Sequence, residues 1–266
     1  MRRVKRRIFS GTVCEQEVYL TTDQTTPVRQ LEGGKVPRLR FRDEEERKRH
    51  REGMARRAHI RAFNANFGPS SLYATLTMDN EHEVHTFEDA KRVRERYIRR
   101  LLHRHPQAVI FAYLGRGENT RRIHMHMVCE GIPEKDIIGL WRQGRVYRLE
   151  HLREVNYDIS GRCVGRDYSG LANYLFDHWT PEQGGHHYYK SRTARPCDRE
   201  EATDCKTAYS ETRPPRPPKA PEGYTYELVD VFATSYGYYN FRYVMLPIRR
   251  PPGRPKKQPD KQNERN

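Results

Sequence analysis

The sequence predicts an α+β protein in which helices pack on an antiparallel central sheet, with basic, flexible termini. Three observations lead to this fold class. Strand-like and helical segments follow one another in the order β, α, β, β, α from residue 72 onwards. Two of the strand-like segments are separated by a short turn, as in an antiparallel hairpin. The segment after Thr86 carries apolar residues at spacings of three and four, which is typical of a helix with one buried face.

The individual elements follow from local signals. Residues 72–77 are rich in β-forming residues. Thr86 is a suitable helix N-cap because acidic residues follow it in the first turn, and Pro106 ends that helix. The other predicted elements are hairpin strands 108–114 and 123–128, a short helix 133–141, short strands 146–149 and 155–158, and a helix that opens at residue 169 and ends before residue 181. This layout is similar to that of RNA-recognition (RRM-like) and ferredoxin-like domains.

Changes in composition divide the chain into five predicted units. Charged residues dominate before residue 62, prolines cluster after residue 212, and the last residues lack the apolar content to fold. The units are a strand or hairpin with a charged helical segment (1–62), a globular α+β domain (63–212), a proline-rich linker (213–223), an aromatic β-hairpin (224–248) and a disordered basic tail (249–266).

The charge balance favours a polyanionic partner. The 266 residues include 50 Lys and Arg against 35 Asp and Glu, a formal net charge of +15. Nucleic acid is the commonest partner of so basic a protein. No stretch approaches the ~20 apolar residues of a bilayer-spanning helix, so no membrane role is expected. Five cysteines without a C-x-x-C pair argue against a zinc finger or a disulfide scaffold and favour a reducing, intracellular compartment.

The His124-Met125-His126 segment is the sharpest candidate for a metal site. On a strand, residues i and i+2 point to the same face, so the two imidazoles lie side by side and can bind one ion. The H-x-H pattern alone is weak evidence, because a chain with twelve histidines contains chance pairs. A metal site and a structural pair of histidines therefore both remain open at this point.

Tyr174 is the candidate nucleophile. It lies inside the helix predicted after residue 169, where a tyrosine is commonly a core residue with its hydroxyl at the rim. A phenol with a pKa of about 10 is a poor nucleophile at neutral pH. A neighbouring divalent cation changes this by polarising the scissile phosphate. Tyrosine would then attack phosphorus, release a 3′-hydroxyl and retain a 5′-phosphotyrosine.

Several motifs, taken in order, resemble those of the HUH endonucleases, in particular the rolling-circle replication initiators (Rep) of small plasmids and single-stranded-DNA phages. The resemblance covers about residues 63–196, and it is the order of the motifs that makes it specific. The matching segments are Asn66-Phe67 with Leu76-Thr77-Met78-Asp79, Arg122 to Val128 around the histidine pair, Leu140 to Val146, Gly170 to Leu175 around the tyrosine, and Gly185 to Pro196.

The resemblance implies a metal-dependent DNA endonuclease and strand transferase. Such a protein starts rolling-circle DNA replication by nicking and joining single-stranded DNA through a 5′-phosphotyrosine. His124 and His126 would hold Mg²⁺ or Mn²⁺, and Tyr174 would attack the DNA. Relatives have a third metal ligand shortly before the histidine pair, and Glu118 is the only carboxylate in that turn.

One position departs from the family pattern. Relatives usually have a lysine three residues after the tyrosine, where this chain has Asp177. The role of that lysine in orienting phosphate or metal is then unfilled or falls to His178 or Lys190. Tyr188 and Tyr189 follow soon after and are the reserve candidates for the nucleophile.

The implied partners are a single-stranded DNA origin, expected to form a hairpin, and a host helicase and DNA polymerase in a bacterial cytoplasm. The chain contains no G-x-x-x-x-G-K-[ST] loop, so unwinding is expected to come from a partner. Two alternatives stay open. One is a relaxase or transposase with the same chemistry, and the other is a non-catalytic protein that binds single-stranded nucleic acid.

Overall fold

The computed structural model describes residues 2–21, 43–117, 121–180, 183, 186, 188–234 and 237–248. The predicted tail 249–266 and the candidate ligand Glu118 lie outside these residues. The helices of the described residues are α1 (Glu44–Asn66), α2 (Phe87–Arg104), α3 (Glu134–Leu140) and α4 (Ser169–Phe176). Their strands are β1 (Arg2–Ser10), β2 (Val13–Thr21), β3 (Leu72–Met78), β4 (Val109–Arg116), β5 (Ile123–Glu130), β6 (Gly144–His151), β7 (Asn156–Tyr157), β8 (Cys163–Gly165), β9 (Tyr189–Lys190), β10 (Asp198–Arg199), β11 (Thr203–Asp204), β12 (Tyr224–Ala233) and β13 (Tyr239–Pro247).

The fold is α+β, as the sequence predicts, with helices packed on antiparallel sheets. The central sheet has five strands in the order β6-β3-β5-β4-β9. The predicted strand β3, hairpin β4–β5 and helices α2 and α3 are confirmed. Thr86 caps α2 as expected, because its side-chain oxygen accepts a hydrogen bond from the Asp89 backbone N–H at 3.1 Å.

Different helices cover the two faces of the central sheet. α2 and α3 lie on one face, which we call the α2 face, and bury an apolar core that includes Leu76, Tyr97 and Met125. α1 and α4 lie on the opposite face, which we call the α4 face, and bury an aromatic cluster that includes Phe63 and Phe111. Successive residues of each strand alternate between the two faces, so every strand of the sheet contributes to both.

A second antiparallel sheet joins the two ends of the described chain. Its main path is β10-β1-β2-β13-β12, and β11 also pairs with β1. β2 pairs directly with β13, for example Val18 with Tyr239. The segments 1–62 and 224–248, which the sequence predicts as separate units, therefore share one sheet. The N-terminal hairpin and the aromatic hairpin themselves form as predicted.

Helix α1 connects this second sheet to the central one, and it crosses the boundary expected at residue 62. The buried guanidinium of Arg61 donates to the carboxylate of Glu15 at 3.0 and 2.6 Å and to that of Glu17 at 2.7 Å. Burial acts to raise the pKa of Glu17, but its hydrogen bonds to Arg61 and Arg6 outweigh burial and lower it. Removing one partner from such a buried network would leave a charge unpaired and cost about 3–5 kcal/mol.

The proline-rich segment packs on the second sheet. The Gln16 side chain donates to the Arg216 carbonyl at 2.8 Å, and the Tyr243 hydroxyl donates to the Pro215 carbonyl. Pro215 and Pro218 are buried. The middle of the predicted linker is therefore held against a folded surface. Among the helices of the described residues, none has the length and apolar character needed to cross a bilayer.

Candidate metal centre and nucleophile

The two histidines of β5 lie side by side on the α4 face of the central sheet. In the register, His126 lies between Thr75 of β3 and Tyr113 of β4, and His124 lies between Thr77 and Gly115. The Nε2 atoms of His124 and His126 are 3.0 Å apart. The expectation that an H-x-H segment on a strand places both rings together is confirmed.

A third histidine completes the cluster. One ring nitrogen from each of His124, His126 and His178 lies within 4.8 Å of the others. His178 comes just after α4, four residues beyond Tyr174. From the sequence, His178 is expected only as a substitute for the missing lysine, and Glu118 is the expected third ligand. The signal for His178 is its spacing from Tyr174: residues four apart on a helix share one side, and the turn after α4 keeps the His178 ring at the Tyr174 carbonyl.

Hydrogen bonds to the ring nitrogens that face away from the cluster fix the orientation of His178 and His126. His178 Nδ1 lies 2.8 Å from the Tyr174 carbonyl oxygen. A carbonyl oxygen only accepts, so Nδ1 carries the proton and a neutral His178 has a free lone pair on Nε2. His126 Nδ1 lies 2.7 Å from the Tyr73 hydroxyl and 3.1 Å from Thr75 Oγ1. Metal-binding histidines typically have such partners on the nitrogen that faces away from the ion.

Burial keeps the two strand histidines neutral. Burial, with smaller contributions from the neighbouring His178, His124 and Arg148, lowers the pKa of His126 to about 3. Burial and His178 also lower the pKa of His124. A metal ion binds only the unprotonated imidazole, so both rings are in the ligand form at neutral pH without having to lose a proton.

Gly115 provides the space that the cluster needs. A Cβ atom at this position would lie 2.7 Å from Cδ2 of His178 and 3.2 Å from Nε2 of His124. Both distances are shorter than ordinary van der Waals contacts. The absence of a side chain at residue 115 therefore allows the His178 ring to approach β4 and meet His124.

The donor atoms of the cluster suit a divalent metal ion. Two nitrogens bound at about 2.1 Å and at right angles to one ion are about 3.0 Å apart, which matches the separation of the His124 and His126 Nε2 atoms. Since the third described donor is also a nitrogen, the set suits a transition-metal ion better than Mg²⁺, which prefers oxygen. The contribution of Glu118 lies outside the described residues.

Tyr174 borders the cluster and is open to solvent. Its ring centroid lies 4.5 Å from that of His178 and 6.1 Å from that of His126. The residue is 53% exposed although α4 is largely apolar. The tyrosine and the histidines are thus on the same side of the central sheet, and the phenol is accessible to a large substrate.

Contacts from α1 and β13 hold α4 and its tyrosine in place. The Asn64 side chain accepts a hydrogen bond from the Tyr168 backbone N–H at 2.9 Å, at the start of α4. At the other end, Arg56 forms an ion pair with Asp177 at 2.5 Å. Arg242 of β13 forms an ion pair with Asp167, just before the helix. Asp177, at the position of the expected lysine, therefore ties α4 to α1.

The reserve candidates Tyr188 and Tyr189 pack against the two apolar cores, away from the three histidines. Tyr188 packs against His59 and Tyr113 in the aromatic cluster, with ring centroids 4.4 and 5.3 Å away, and burial raises its pKa to about 12. Tyr189 pairs with Ala112 in the central sheet and packs against the apolar core of the α2 face. Neither makes a described ring contact with His124, His126 or His178, so Tyr174 is the tyrosine that the fold brings to the histidines.

An open cleft adjoins the cluster on the side of β3 and β6. It has a volume of about 660 Å³ and includes His124 and Arg145 in its wall. The other residues that line it are Thr77, Met78, Asp79, Asn80, Glu81, Arg122 and Ile123. Thr77 to Asp79 belong to the first motif of the resemblance, so this motif forms one wall of the cleft.

Comparison with known proteins adds no family assignment: no family model, no curated protein and no solved structure matches this chain significantly.

Proposed function

We propose that this protein is a metal-dependent DNA strand nickase and transferase that starts rolling-circle replication and uses Tyr174 as its nucleophile. The observation that carries the proposal is the contact between the half-exposed Tyr174 ring and the three-histidine cluster. A structural histidine pair needs neither a third imidazole nor an accessible phenol beside it. The motif order described above supports the same chemistry.

The proposed step is a phosphoryl transfer to tyrosine. Tyr174 Oη forms a bond to the phosphorus of a DNA phosphodiester, and the bond from phosphorus to the 3′-oxygen breaks. The phenol loses its proton to solvent, and the 3′-oxygen takes up a proton and leaves as a hydroxyl. The 5′-phosphotyrosine keeps the energy of the bond, so attack by a second 3′-hydroxyl in the reverse direction joins strands.

His124, His126 and His178 would hold a divalent transition-metal ion such as Mn²⁺. The ion would polarise the scissile phosphate and offset the negative charge that develops on it. The chain itself positions the nucleophile. Two contacts hold α4 against the histidines of β5. They are the His178 hydrogen bond to the Tyr174 carbonyl and the Arg56–Asp177 ion pair. Because the tyrosine is already held in place, less entropy is lost when it meets the DNA phosphate.

A covalent-adduct assay tests the proposal. The full-length protein is incubated with a fluorescently labelled single-stranded or hairpin oligonucleotide library and Mn²⁺, and the products are separated on a denaturing gel. We expect a protein–DNA adduct that Tyr174→Phe abolishes and that chelation of the metal prevents. Tyr157→Phe is the matched control, since Tyr157 is 66% exposed and lies on β7, outside the central sheet.

The alternatives give different results in the same assay. An adduct that survives Tyr174→Phe but disappears in Tyr188→Phe or Tyr189→Phe would move the nucleophile. Salt-sensitive binding without any adduct would support a non-catalytic single-strand-binding protein, to which the net charge of +15 also points. Running Mg²⁺, Mn²⁺ and Zn²⁺ in parallel identifies the ion that supports the reaction.

A further inference from the structure

The edge strand β6 contains a register shift that turns two arginines towards the histidines. Thr75 of β3 pairs with Arg148, but the next residue of β3, Leu76, pairs with Val146, so Tyr147 is an extra residue. In a regular strand, residues 145 and 148 would point to opposite faces. The bulge places both Arg145 and Arg148 on the α4 face, since their β3 partners Thr77 and Thr75 flank the histidine row.

Tyr147, the bulged residue, is 82% exposed. It is more exposed than the candidate nucleophile, and it stands at the open edge of the sheet. Its neighbours Val146 and Leu149 pack against the apolar core of the α2 face, so the bulge is anchored on both sides. An exposed aromatic ring on a fixed backbone is the platform on which proteins stack unpaired bases.

The two arginines on either side of Tyr147 are available to phosphates. No carboxylate among the described residues forms an ion pair with Arg145. Arg148 lies over the ring of Tyr73 at 5.5 Å and meets Glu150 at 2.7 Å on the exposed surface. Surface pairs of this kind are worth little, so a phosphate can replace Glu150.

The cleft beside the metal cluster connects this edge to the proposed reaction centre. Arg145 and His124 both line it, and its volume of about 660 Å³ has room for nucleotides. Arg145, two residues before Tyr147 on β6, therefore shares a cleft with His124 of the cluster that Tyr174 borders. Arg148 lies over Tyr73, whose hydroxyl meets His126, so the second arginine also borders the cluster.

We propose that Arg145, Tyr147 and Arg148 form a binding platform for single-stranded DNA, in which the tyrosine stacks on a base and the arginines contact the phosphates next to it. The platform would lead the strand through the cleft to the nucleophile. This inference rests on the proposed function for its ligand, and it names where that ligand is held.

Equilibrium binding tests the platform without requiring catalysis. The full-length Tyr174→Phe protein, in chelator, is titrated into a labelled single-stranded oligonucleotide and followed by fluorescence anisotropy. We expect Tyr147→Ala to weaken binding about tenfold and Tyr147→Trp to retain it. We expect Arg145→Ala to reduce the slope of log K against log salt by about 0.7, the loss of one phosphate contact. Tyr157→Ala, at another exposed tyrosine, is the matched control and should change neither quantity.

The outcomes separate this inference from the proposed function. Unchanged single-strand affinity in Tyr147→Ala overturns the platform, even if Tyr174 forms an adduct. An equal loss of single-strand and duplex affinity also overturns it, because duplex bases are not open to stacking. If Tyr147→Ala weakens single-strand binding and no adduct ever forms, the platform stands and the nickase proposal fails. An unchanged thermal midpoint confirms that each variant is folded.

Discussion

The two faces of strand β5 differ in what their side chains do. On the α2 face, Ile123, Met125 and Met127 are at most 3% exposed and belong to one apolar core. On the α4 face, His124 and His126 meet each other, a third histidine and a tyrosine. Adjacent residues of one strand therefore contribute separately to the apolar core and to the proposed site. We therefore expect that the candidate site can be damaged without unfolding the protein, and that the core can be weakened without changing the site.

The largest effect is expected from His124→Ala on the α4 face. Removal of one of three ligands should reduce adduct formation at least about 100-fold, since even outer partners of a metal site are worth 10–100-fold in affinity. The free energy of unfolding of the metal-free protein should change by less than about 1 kcal/mol, because His124 is only partly buried. Gel quantification of the adduct and urea denaturation measure the two quantities. An adduct at the parent level would mean that His124 is no ligand.

Met125→Ala, one residue along and on the opposite face, should have the reverse profile. The buried side chain leaves a cavity, so the free energy of unfolding should fall by about 2–5 kcal/mol. The Mn²⁺ affinity of the folded protein, measured by calorimetry below the unfolding transition, should remain at the parent value. A loss of metal affinity without a loss of stability would contradict the separation of the two faces.

Gly115→Ala should disturb the cluster by a steric route. The new methyl group would lie 2.7 Å from the His178 ring, so that ring must move away from His124. We expect Mn²⁺ affinity to fall about 10–100-fold, in the range seen when ligand orientation is lost. Gly139→Ala is the control, since a Cβ at this helical position meets nothing within 4 Å. Calorimetric titration of both variants would expose the difference, and parent-like affinity in Gly115→Ala would show that His178 does not need that space.

Tyr73→Phe should give the smallest effect. It removes the hydroxyl that lies 2.7 Å from His126 Nδ1, but Thr75 Oγ1 remains at 3.1 Å as a second partner. We expect about a tenfold loss of Mn²⁺ affinity. Tyr113→Phe is the matched control, because its buried hydroxyl faces His59 on the same side of the sheet. Equal losses in the two variants would mean that the Tyr73 hydroxyl does not orient His126.

Local patterns were sufficient for β3, β4, β5 and β6 of the central sheet and for part of the site, whereas the short edge strand β9 was not predicted. The period of α2, the N-cap at Thr86 and the turn between β4 and β5 are properties of neighbouring residues, so they can be read directly. The shared face of His124 and His126 follows from the strand period alone. The third histidine of the cluster lies outside these local patterns. His178 reaches the pair through the packing of α4 on the sheet, whereas Glu118 is the only carboxylate in the turn just before the pair.

The role of α1 was hidden for a different reason. Its buried residues include Arg61, Asn64 and His59, which are polar and give no apolar stripe. Their burial depends on partners elsewhere in the chain, such as Glu15 for Arg61 and the Ala172 carbonyl for His59. The hydropathy of α1 is therefore that of a solvated helix. Its hydrogen bonds with distant residues nevertheless make α1 the support of α4. The bulge at Tyr147 is likewise a matter of pairing and has no signature in residue type.

The pairing of β2 with β13 has a consequence for synthesis. Glu17 and Tyr238, which are 221 positions apart, meet through a side-chain hydrogen bond in the second sheet. During translation, β2 is synthesised early, and its edge stays unpaired until β13, the last of the described strands, has been made. Contacts over such separations form slowly, and an uncovered edge invites pairing with other chains. Nascent chains that stall before β13 would thus expose the unpaired edge of β2, which favours aggregation.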